Sequence, residues 1–85
     1  MKHAGSAALD QLEPLLERIR AIAALRETSR GVFYLKSKAF LHFHEDPAGL
    51  FVDIRCADGR DFERFNVDEP AGRDQLVVMA TARAG

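Results

Sequence analysis

The sequence predicts a single α+β domain over residues 1–85, built from an N-terminal helix, a four-stranded antiparallel meander and a C-terminal helix. Three observations predict this fold class. Apolar residues recur every three or four positions near both ends of the chain, they alternate with polar residues in the middle, and short turn signals divide the alternating stretch. Because a small sheet must bury one face, both helices are expected to pack on the same side of it.

The first helix is predicted to follow a disordered segment at residues 1–9. Asp10 and Glu13 form a capping-box pattern, and Pro14 is tolerated because it falls in the first turn. The helix is expected to end between residues 25 and 28. One apolar stripe runs along it, formed by Leu12, Leu15, Leu16, Ile19, Ile22 and Ala23.

Three turn signals divide residues 32–67 into the four predicted strands. They are KSK at 36–38, DPAG at 46–49 and DG at 58–59, and the last of these favours a tight type I′ hairpin. Loops this short force neighbouring strands to be antiparallel. The predicted strands span about residues 32–35, 39–45, 50–57 and 60–67.

Residues 70–83 are predicted to form the C-terminal helix, with Leu76, Val77, Met79 and Ala80 on its packing face. A strand is the alternative for this segment, because Val77 and Val78 lie within an apolar run. Cys56 is the only cysteine, so no disulfide can form within one chain. The sequence has no signal peptide and no apolar run of about 20 residues. We therefore expect a cytoplasmic protein that does not cross a membrane.

The hairpin registers assign the strand residues to the two faces of the sheet. A loop at DPAG places His42 opposite Asp53, and the KSK turn is expected to pair Lys36 with Ala39. On that basis the inner face, which the helices should cover, holds Val32, Tyr34, Leu41, Phe43, Val52, Ile54, Cys56, Phe65 and Val67. The opposite side, called the outer face below, holds Phe33, Leu35, Phe40, His42, His44, Phe51, Asp53, Arg55, Phe62 and Arg64.

The predicted outer face is unusual because phenylalanine occurs on it together with histidine, aspartate and arginine. A face that only meets water would carry Thr, Lys, Glu and Ser instead, and contiguous apolar surface usually marks an interface. The predicted binding residues are Phe33, Phe40, His42, His44, Phe51, Asp53 and Arg55. We expect a non-enzymatic binding or assembly module whose partner is another protein or a second copy of the chain, unless the C-terminal helix covers these residues.

Nucleic-acid binding is a first alternative for this surface. Residues 18–38 contain six basic residues and one acid, a sum of +5, and basic groups beside exposed aromatic rings suit phosphates and stacked bases. The net charge of −1 for the whole chain argues against it, because nucleic-acid-binding domains are usually basic. The candidate residues are Arg26, Arg30, Lys36, Lys38 and Arg64.

A weak divalent-metal site is a second alternative, with His42, His44 and Asp53 as its ligands. A cross-strand ion pair between His42 and Asp53 is the simpler explanation of the same residues. The histidines also permit pH-sensitive binding near pH 6–7. The sequence contains no phosphate-binding glycine loop, no nucleophile elbow and no HExxH motif, so neither enzymatic activity nor a cofactor is expected.

The stretches LERIRAIAAL, GVFYLKSKAFLHFHED and GLFVDIRC, within residues 12–67, resemble the N-terminal portion of the MmcQ/YjbR-like proteins. In that family a helix precedes a strand, a short turn with a lysine before phenylalanine (here KSKAF) and a meander. The resemblance implies an α+β fold like that of secretion chaperones, a bacterial cytoplasmic source and DNA binding, which has been proposed for members on the basis of their fold. Those proteins usually continue with a further strand and helix, and the sequence here contains no tryptophan.

Overall fold

A computed structural model of the chain describes residues 2–85. Within those residues it contains two helices and one antiparallel sheet of six strands, which confirms the α+β class but adds two strands to the predicted meander. The elements are β1 Lys2–His3, α1 Ser6–Arg20, β2 Leu25–Ser29, β3 Val32–Leu35, β4 Lys38–Asp46, β5 Gly49–Arg55, β6 Phe62–Asn66 and α2 Pro70–Ala84. The strands lie in the order β2-β3-β4-β5-β6, and β1 pairs with the part of β4 that extends past β3.

Both helices and one face of the sheet contribute to a single hydrophobic core. Helix α1 buries Leu12, Leu15, Leu16 and Ile19 of its predicted stripe, because these residues recur at helical spacing, whereas Ile22 and Ala23 follow the end of the helix and Ala23 is exposed. Of the packing face predicted for α2, Leu76 and Ala80 are buried, and Val77 and Met79 are half-buried against the core. The fully buried helical residues are Leu12, Leu15, Leu16, Ile19, Leu76 and Ala80. The fully buried strand residues are Phe33, Leu41, Phe43, Val52 and Ile54.

The N-terminal segment differs from the prediction of disorder over residues 1–9. Lys2–His3 pairs with β4, and α1 begins at Ser6 after Gly5, whose N–H donates to the Glu45 carboxylate over 2.6 Å. Asp10 therefore lies inside the helix and does not cap it. Ala8 and Leu9 are buried, so the apolar stripe extends one turn further towards the N-terminus than predicted. Met1 lies outside the described residues.

The end of the first helix also differs from the prediction. The helix ends at Arg20, and Leu25–Ser29 forms the edge strand β2 instead of continuing the helix. Local propensity for helix is overridden here because Leu25 pairs with Leu35 and turns towards the core, while Glu27 receives two hydrogen bonds from Arg20. A turn joins β2 to β3, with Gly31 at a φ of 81°.

A bulge in β4 changes which side chains of the first hairpin face the core. The loop consists of Lys36 and Ser37, so Leu35 pairs with Lys38 and the predicted pairing of Lys36 with Ala39 is wrong. Phe33 then pairs with Leu41 while Tyr34 pairs with Ala39, which leaves Phe40 as an extra residue on β4. As a result Phe33 and Phe40 are core residues, exposed by only 1% and 3%, and their predicted place on the outer face is wrong. Val32 and Tyr34 move to the outer face in exchange.

The second hairpin has the predicted register. His42 pairs with Asp53 and Phe43 with Val52, so the residues of β4 and β5 alternate between core and outer face as expected. The third hairpin differs because β6 begins at Phe62, after a loop of residues 56–61 that the Cys56 N–H closes by donating to the Asp61 carbonyl. A type I′ turn at DG is wrong, since among residues 2–85 the only non-glycine with positive φ is Lys36.

Two of the six basic residues at positions 18–38 form ion pairs with acids of α1 and β2. Arg20 contacts Glu13, Glu17 and Glu27, while Arg30 contacts Asp10 and Glu13. The hydrogen bond from Arg20, followed by that from Arg30, lowers the pKa of Glu13 from 4.5 to about 2. These ion pairs of Arg20 and Arg30 hold β2 and the β2–β3 turn against α1.

We predict that a methyl group is tolerated less well at Gly31 than at Gly59. Both residues have positive φ, 81° and 76°, so alanine at either position costs about 1–2 kcal/mol of backbone strain. A Cβ at Gly31 would also lie 2.6 Å from the Cδ2 of buried Leu9, whereas at Gly59 it meets nothing within 4 Å. Urea unfolding should show that Gly31→Ala loses a further ~1–3 kcal/mol. Equal losses in the two variants would contradict the contact with Leu9.

We also predict that Glu13 makes the protein sensitive to acid. Because the folded-state pKa of Glu13 is depressed to about 2, its contribution to stability is present above its ordinary value of 4.5 and is lost as pH falls towards 2. Glu13→Gln should therefore be less stable than the wild type at pH 7, and the difference should shrink through that window. Glu17→Gln is the control, since its one contact with Arg20 is 3.5 Å long and its side chain is 69% exposed. If the difference in unfolding free energy between the wild type and Glu13→Gln stays constant with pH, the acid sensitivity does not come from Glu13.

Candidate metal centre on the outer face

The three histidines of the chain meet on the outer face of the sheet. His3 comes from β1, while His42 and His44 come from β4, and one ligand nitrogen from each ring lies within 4.8 Å of the other two. The ring of His3 stacks on that of His42 at a centroid distance of 5.4 Å and lies 4.9 Å from that of His44. Among residues 2–85 this is the one group of metal-ligating side chains that lies close enough to hold an ion together.

Strand geometry explains why these three rings converge. Residues two apart on a strand point to the same face, so His42 and His44 share the outer face of β4. The pairing of His3 with His44 then sets the third ring beside them. His3 was missed by the sequence analysis because a two-residue strand has no periodicity to detect. Its alignment depends on Gly5 and Ala4, whose N–H groups donate to Glu45 and to the Phe43 carbonyl.

His44 is the best-fixed of the three rings, with 6% of its surface exposed. Its Nδ1 lies 3.3 Å from the carbonyl oxygen of Lys2, which accepts a hydrogen bond in the tautomer with the proton on Nδ1. Its Nε2 lies 3.1 Å from a carboxylate oxygen of Asp53 and 2.9 Å from Nδ1 of His42. In that tautomer the Nε2 lone pair faces a carboxylate oxygen, and a cation bound at Nε2 is favourable in this arrangement.

Asp53 supplies the negative charge of the centre. It is 8% exposed, and Arg64 donates to both of its oxygens from Nε and Nη2, over 2.6 and 2.8 Å. These hydrogen bonds from Arg64 lower the pKa of Asp53 against the opposing effect of burial, so the group is a carboxylate at neutral pH. The ion pair predicted between His42 and Asp53 is replaced by contacts of Asp53 with His44 and Arg64.

His42 is kept neutral by its surroundings. Burial, followed by the nearby His44, lowers the pKa of His42 below 6.5, and the charge of Asp53 opposes this shift. The ring is half-buried and lies 5.3 Å from the ring of Phe62. A neutral imidazole keeps a lone pair free near pH 7, which is the form that binds metals.

The other residues of the predicted binding face are dispersed. Phe51 is half-buried opposite His44, and Arg55 donates through Nε to the Ala39 carbonyl and stacks 4.6 Å above the ring of Phe62. Phe62, 37% exposed, is the most exposed aromatic ring of the described face. The outer face is therefore richer in histidine and poorer in phenylalanine than the sequence predicted.

The five predicted anion-binding residues divide into two groups. Arg30 and Arg64 are engaged by carboxylates. Arg26, Lys36 and Lys38 are exposed and form no ion pair within residues 2–85. The cations that remain available lie on the outer side of β2 and at the tip of the β3–β4 hairpin, which are separate places on the surface.

Small side-chain movements would complete a tetrahedral site here. With metal–nitrogen bonds of about 2.0–2.1 Å, the ligand nitrogens lie about 3.3–3.4 Å apart. His42 and His44 are already at 2.9 Å, and His3 is exposed, so its ring can rotate towards them. The contact of His44 Nδ1 with the Lys2 carbonyl is the type of outer hydrogen bond that fixes a metal-binding tautomer.

We predict that the Arg64–Asp53 contact stabilises the protein more than an ordinary surface ion pair. Arg64→Ala leaves a buried carboxylate without its main donors and should cost about 1–3 kcal/mol of unfolding free energy. Arg18→Ala is the matched control, because Arg18 and its partner Asp74 are 47% and 67% exposed, and it should cost only about 0–1 kcal/mol. Chemical denaturation at pH 7 measures both. Equal losses of unfolding free energy in the two variants would show that the burial of Asp53 does not strengthen its ion pair with Arg64.

Neither a scan against protein-family models nor searches of curated proteins and of solved structures found a match for this chain. The resemblance to MmcQ/YjbR-like proteins therefore stays a prediction. No helix within residues 2–85 has the length and apolar character to cross a membrane. What the protein does must accordingly be argued from the geometry of the histidine centre.

Proposed function

We propose that this protein is a metal-binding module that holds one divalent transition-metal ion with His3, His42 and His44. The observation that carries the proposal is the position of His44 Nε2, which faces His42 Nδ1 and an oxygen of Asp53 within 2.9 and 3.1 Å. Repulsion between the lone pairs of these atoms is relieved by a bound cation. Three imidazoles from two adjacent strands then provide the donor set.

The donor set favours borderline metals over hard ones. Imidazole nitrogen suits Zn²⁺, Cu²⁺, Ni²⁺ and Co²⁺, whereas Mg²⁺ and Ca²⁺ prefer oxygen ligands. Asp53 would attract the ion by its negative charge, while both of its oxygens accept hydrogen bonds from Arg64. Three protein ligands leave a fourth position towards solvent, on the side of exposed His3.

The other two expectations for the outer face have less support. Assembly with a protein partner or a second copy was expected from several exposed phenylalanines, and two of these, Phe33 and Phe40, belong to the core. Nucleic-acid binding was expected from five cations, and two of these, Arg30 and Arg64, are paired with acids. A net charge of −1 adds no general attraction for phosphate.

Titration with Zn²⁺ by calorimetry, in a buffer that does not chelate, tests the proposal. We expect one ion per chain at pH 7.5, and weaker binding at pH 5.5 because protons compete for the imidazole lone pairs. His3→Ala and His42→Ala should each lower the affinity by more than the ~10–100-fold typical of losing an outer hydrogen-bond partner. Both positions are exposed or half-buried, so circular dichroism should show that the variants stay folded.

Cys56→Ser is the control for this titration, since Cys56 is the only cysteine and therefore the only thiol of the chain that could bind Zn²⁺. Its affinity for Zn²⁺ should equal that of the wild type. Visible absorption of bound Co²⁺ and the histidine ring resonances give a second readout of the ligands. Wild-type affinity in His3→Ala and His42→Ala, or loss of binding in Cys56→Ser, would overturn the proposal.

A further inference from the structure

A groove separate from the histidine centre lies between the tip of the β3–β4 hairpin and the β5–β6 loop. It consists of two adjoining cavities of about 300 and 600 Å³, which share Leu35, Phe40, Arg55 and Gly59 in their walls. Cavities of this size match those that bind small molecules in other proteins. The Cβ-free surface of Gly59 is open to this space, with no atom within 4 Å of where a Cβ would stand.

The floor of the groove is apolar and its rim is cationic. Leu35 and Phe40 form the floor, and the first cavity is bordered by Lys36, Lys38 and Arg55. No carboxylate lines either cavity among the described residues. A small ligand that fits this chemistry carries a negative charge at one end and an apolar body at the other.

The three cationic side chains that line the first cavity have N–H groups that are free to bind a ligand. Lys36 and Lys38 form no ion pair within residues 2–85, in contrast to Arg18, Arg20 and Arg30. Arg55 uses Nε for the Ala39 carbonyl and Nη1 for the Gly59 carbonyl. Its Nη2 has no hydrogen-bond partner within residues 2–85, while these two hydrogen bonds hold the rest of the guanidinium in place.

The backbone at the tip of the β3–β4 hairpin is strained at Lys36, and this favours a ligand-binding role for the lysine side chain. Lys36 has a φ of 59°, a conformation that glycine or asparagine adopts more cheaply. Such outliers concentrate at ligand clamps, where the side chain matters more than the backbone strain. The left-handed backbone places Lys36 at the border of the first cavity.

The two cavities differ in charge, which orients the ligand. The far cavity is lined by Cys56, Ala57 and Ala82 in place of the two lysines. Arg83, which lines that cavity, is already engaged by Glu63 over 2.8 Å. An anionic group is therefore favoured at the lysine end, and the apolar body at the end lined by Ala57 and Ala82.

We propose that this groove binds a small amphipathic carboxylate, such as a medium-chain fatty acid. Lys36, Lys38 and Arg55 hold the carboxylate, while the chain lies over Leu35 and Phe40 towards the second cavity. Binding of this ligand requires neither a metal nor the three histidines. Its failure and the failure of the metal proposal are therefore separate results.

Titration of the ¹⁵N-labelled protein with sodium octanoate, sodium acetate and 1-octanol, followed by amide NMR shifts, tests the proposal. Octanoate should shift the amides of Lys36–Lys38 and those of Ala57 and Ala82, with saturation. Acetate lacks the chain and 1-octanol lacks the charge, so both should bind at least about tenfold more weakly, as loss of roughly 1.4 kcal/mol of interaction predicts. Equal binding of octanoate and 1-octanol would overturn the role of the cations.

Two variants locate the site. Replacing both Lys36 and Lys38 with Gln should weaken octanoate binding about 2–30-fold, the range expected from two exposed ion pairs. Arg26→Gln removes an equally exposed, unpaired cation from β2 and should leave binding unchanged. Ala82→Trp, at an exposed helical position, should fill the second cavity and abolish binding. Wild-type affinity in the lysine variant or in Ala82→Trp would show that octanoate binds elsewhere.

Discussion

The alternation of side chains along β4 is the constraint on which the rest of the molecule depends. β4 is the longest strand and pairs with β3, β5 and β1. Leu41 and Phe43 enter the core on one face, so His42 and His44 must lie on the other. A slip of one residue would bury both imidazoles and expose the core. The hydrophobic effect that fixes the fold therefore also fixes the geometry of the metal centre.

The charge arrangement around Asp53 links the outer face to the N-terminal segment. Arg64 holds Asp53 as a carboxylate, Asp53 faces Nε2 of His44, and Nδ1 of His44 contacts the Lys2 carbonyl. A cation at Nε2 strengthens each of these contacts, because it polarises the ring that lies between the acid and the backbone. Since His3 follows Lys2 directly, an ion bound by all three histidines would add a further link between β1 and β4. Such an ion would stabilise the pairing of the two-residue strand β1 beyond what its two ladder pairs supply.

Register explains which features could be predicted from sequence. DPAG fixes the β4–β5 hairpin, so His42 opposite Asp53 and the core pairs followed from counting residues. Phe33 and Phe40 were assigned to the wrong face of the sheet because one bulged residue in β4 reverses the faces of the β3 residues. The sequence KSKAF contains no local signal that predicts a bulge. β1 and β2 were missed because both are edge segments whose strand form depends on a partner, and short edge segments carry little periodicity. His3, the third candidate ligand, was missed because β1 was not predicted.

Phe62 shows why the exposed aromatic surface is better explained by the two sites than by a docking partner. Its ring lies 5.3 Å from that of His42 and 4.6 Å below the guanidinium carbon of Arg55. It therefore covers one side of the His42 ring and holds the guanidinium of Arg55 by a cation–π contact. A ring with contacts of this kind on both sides is partly exposed because it stands between two open sites. The 37% of its surface that meets solvent requires no further protein to cover it.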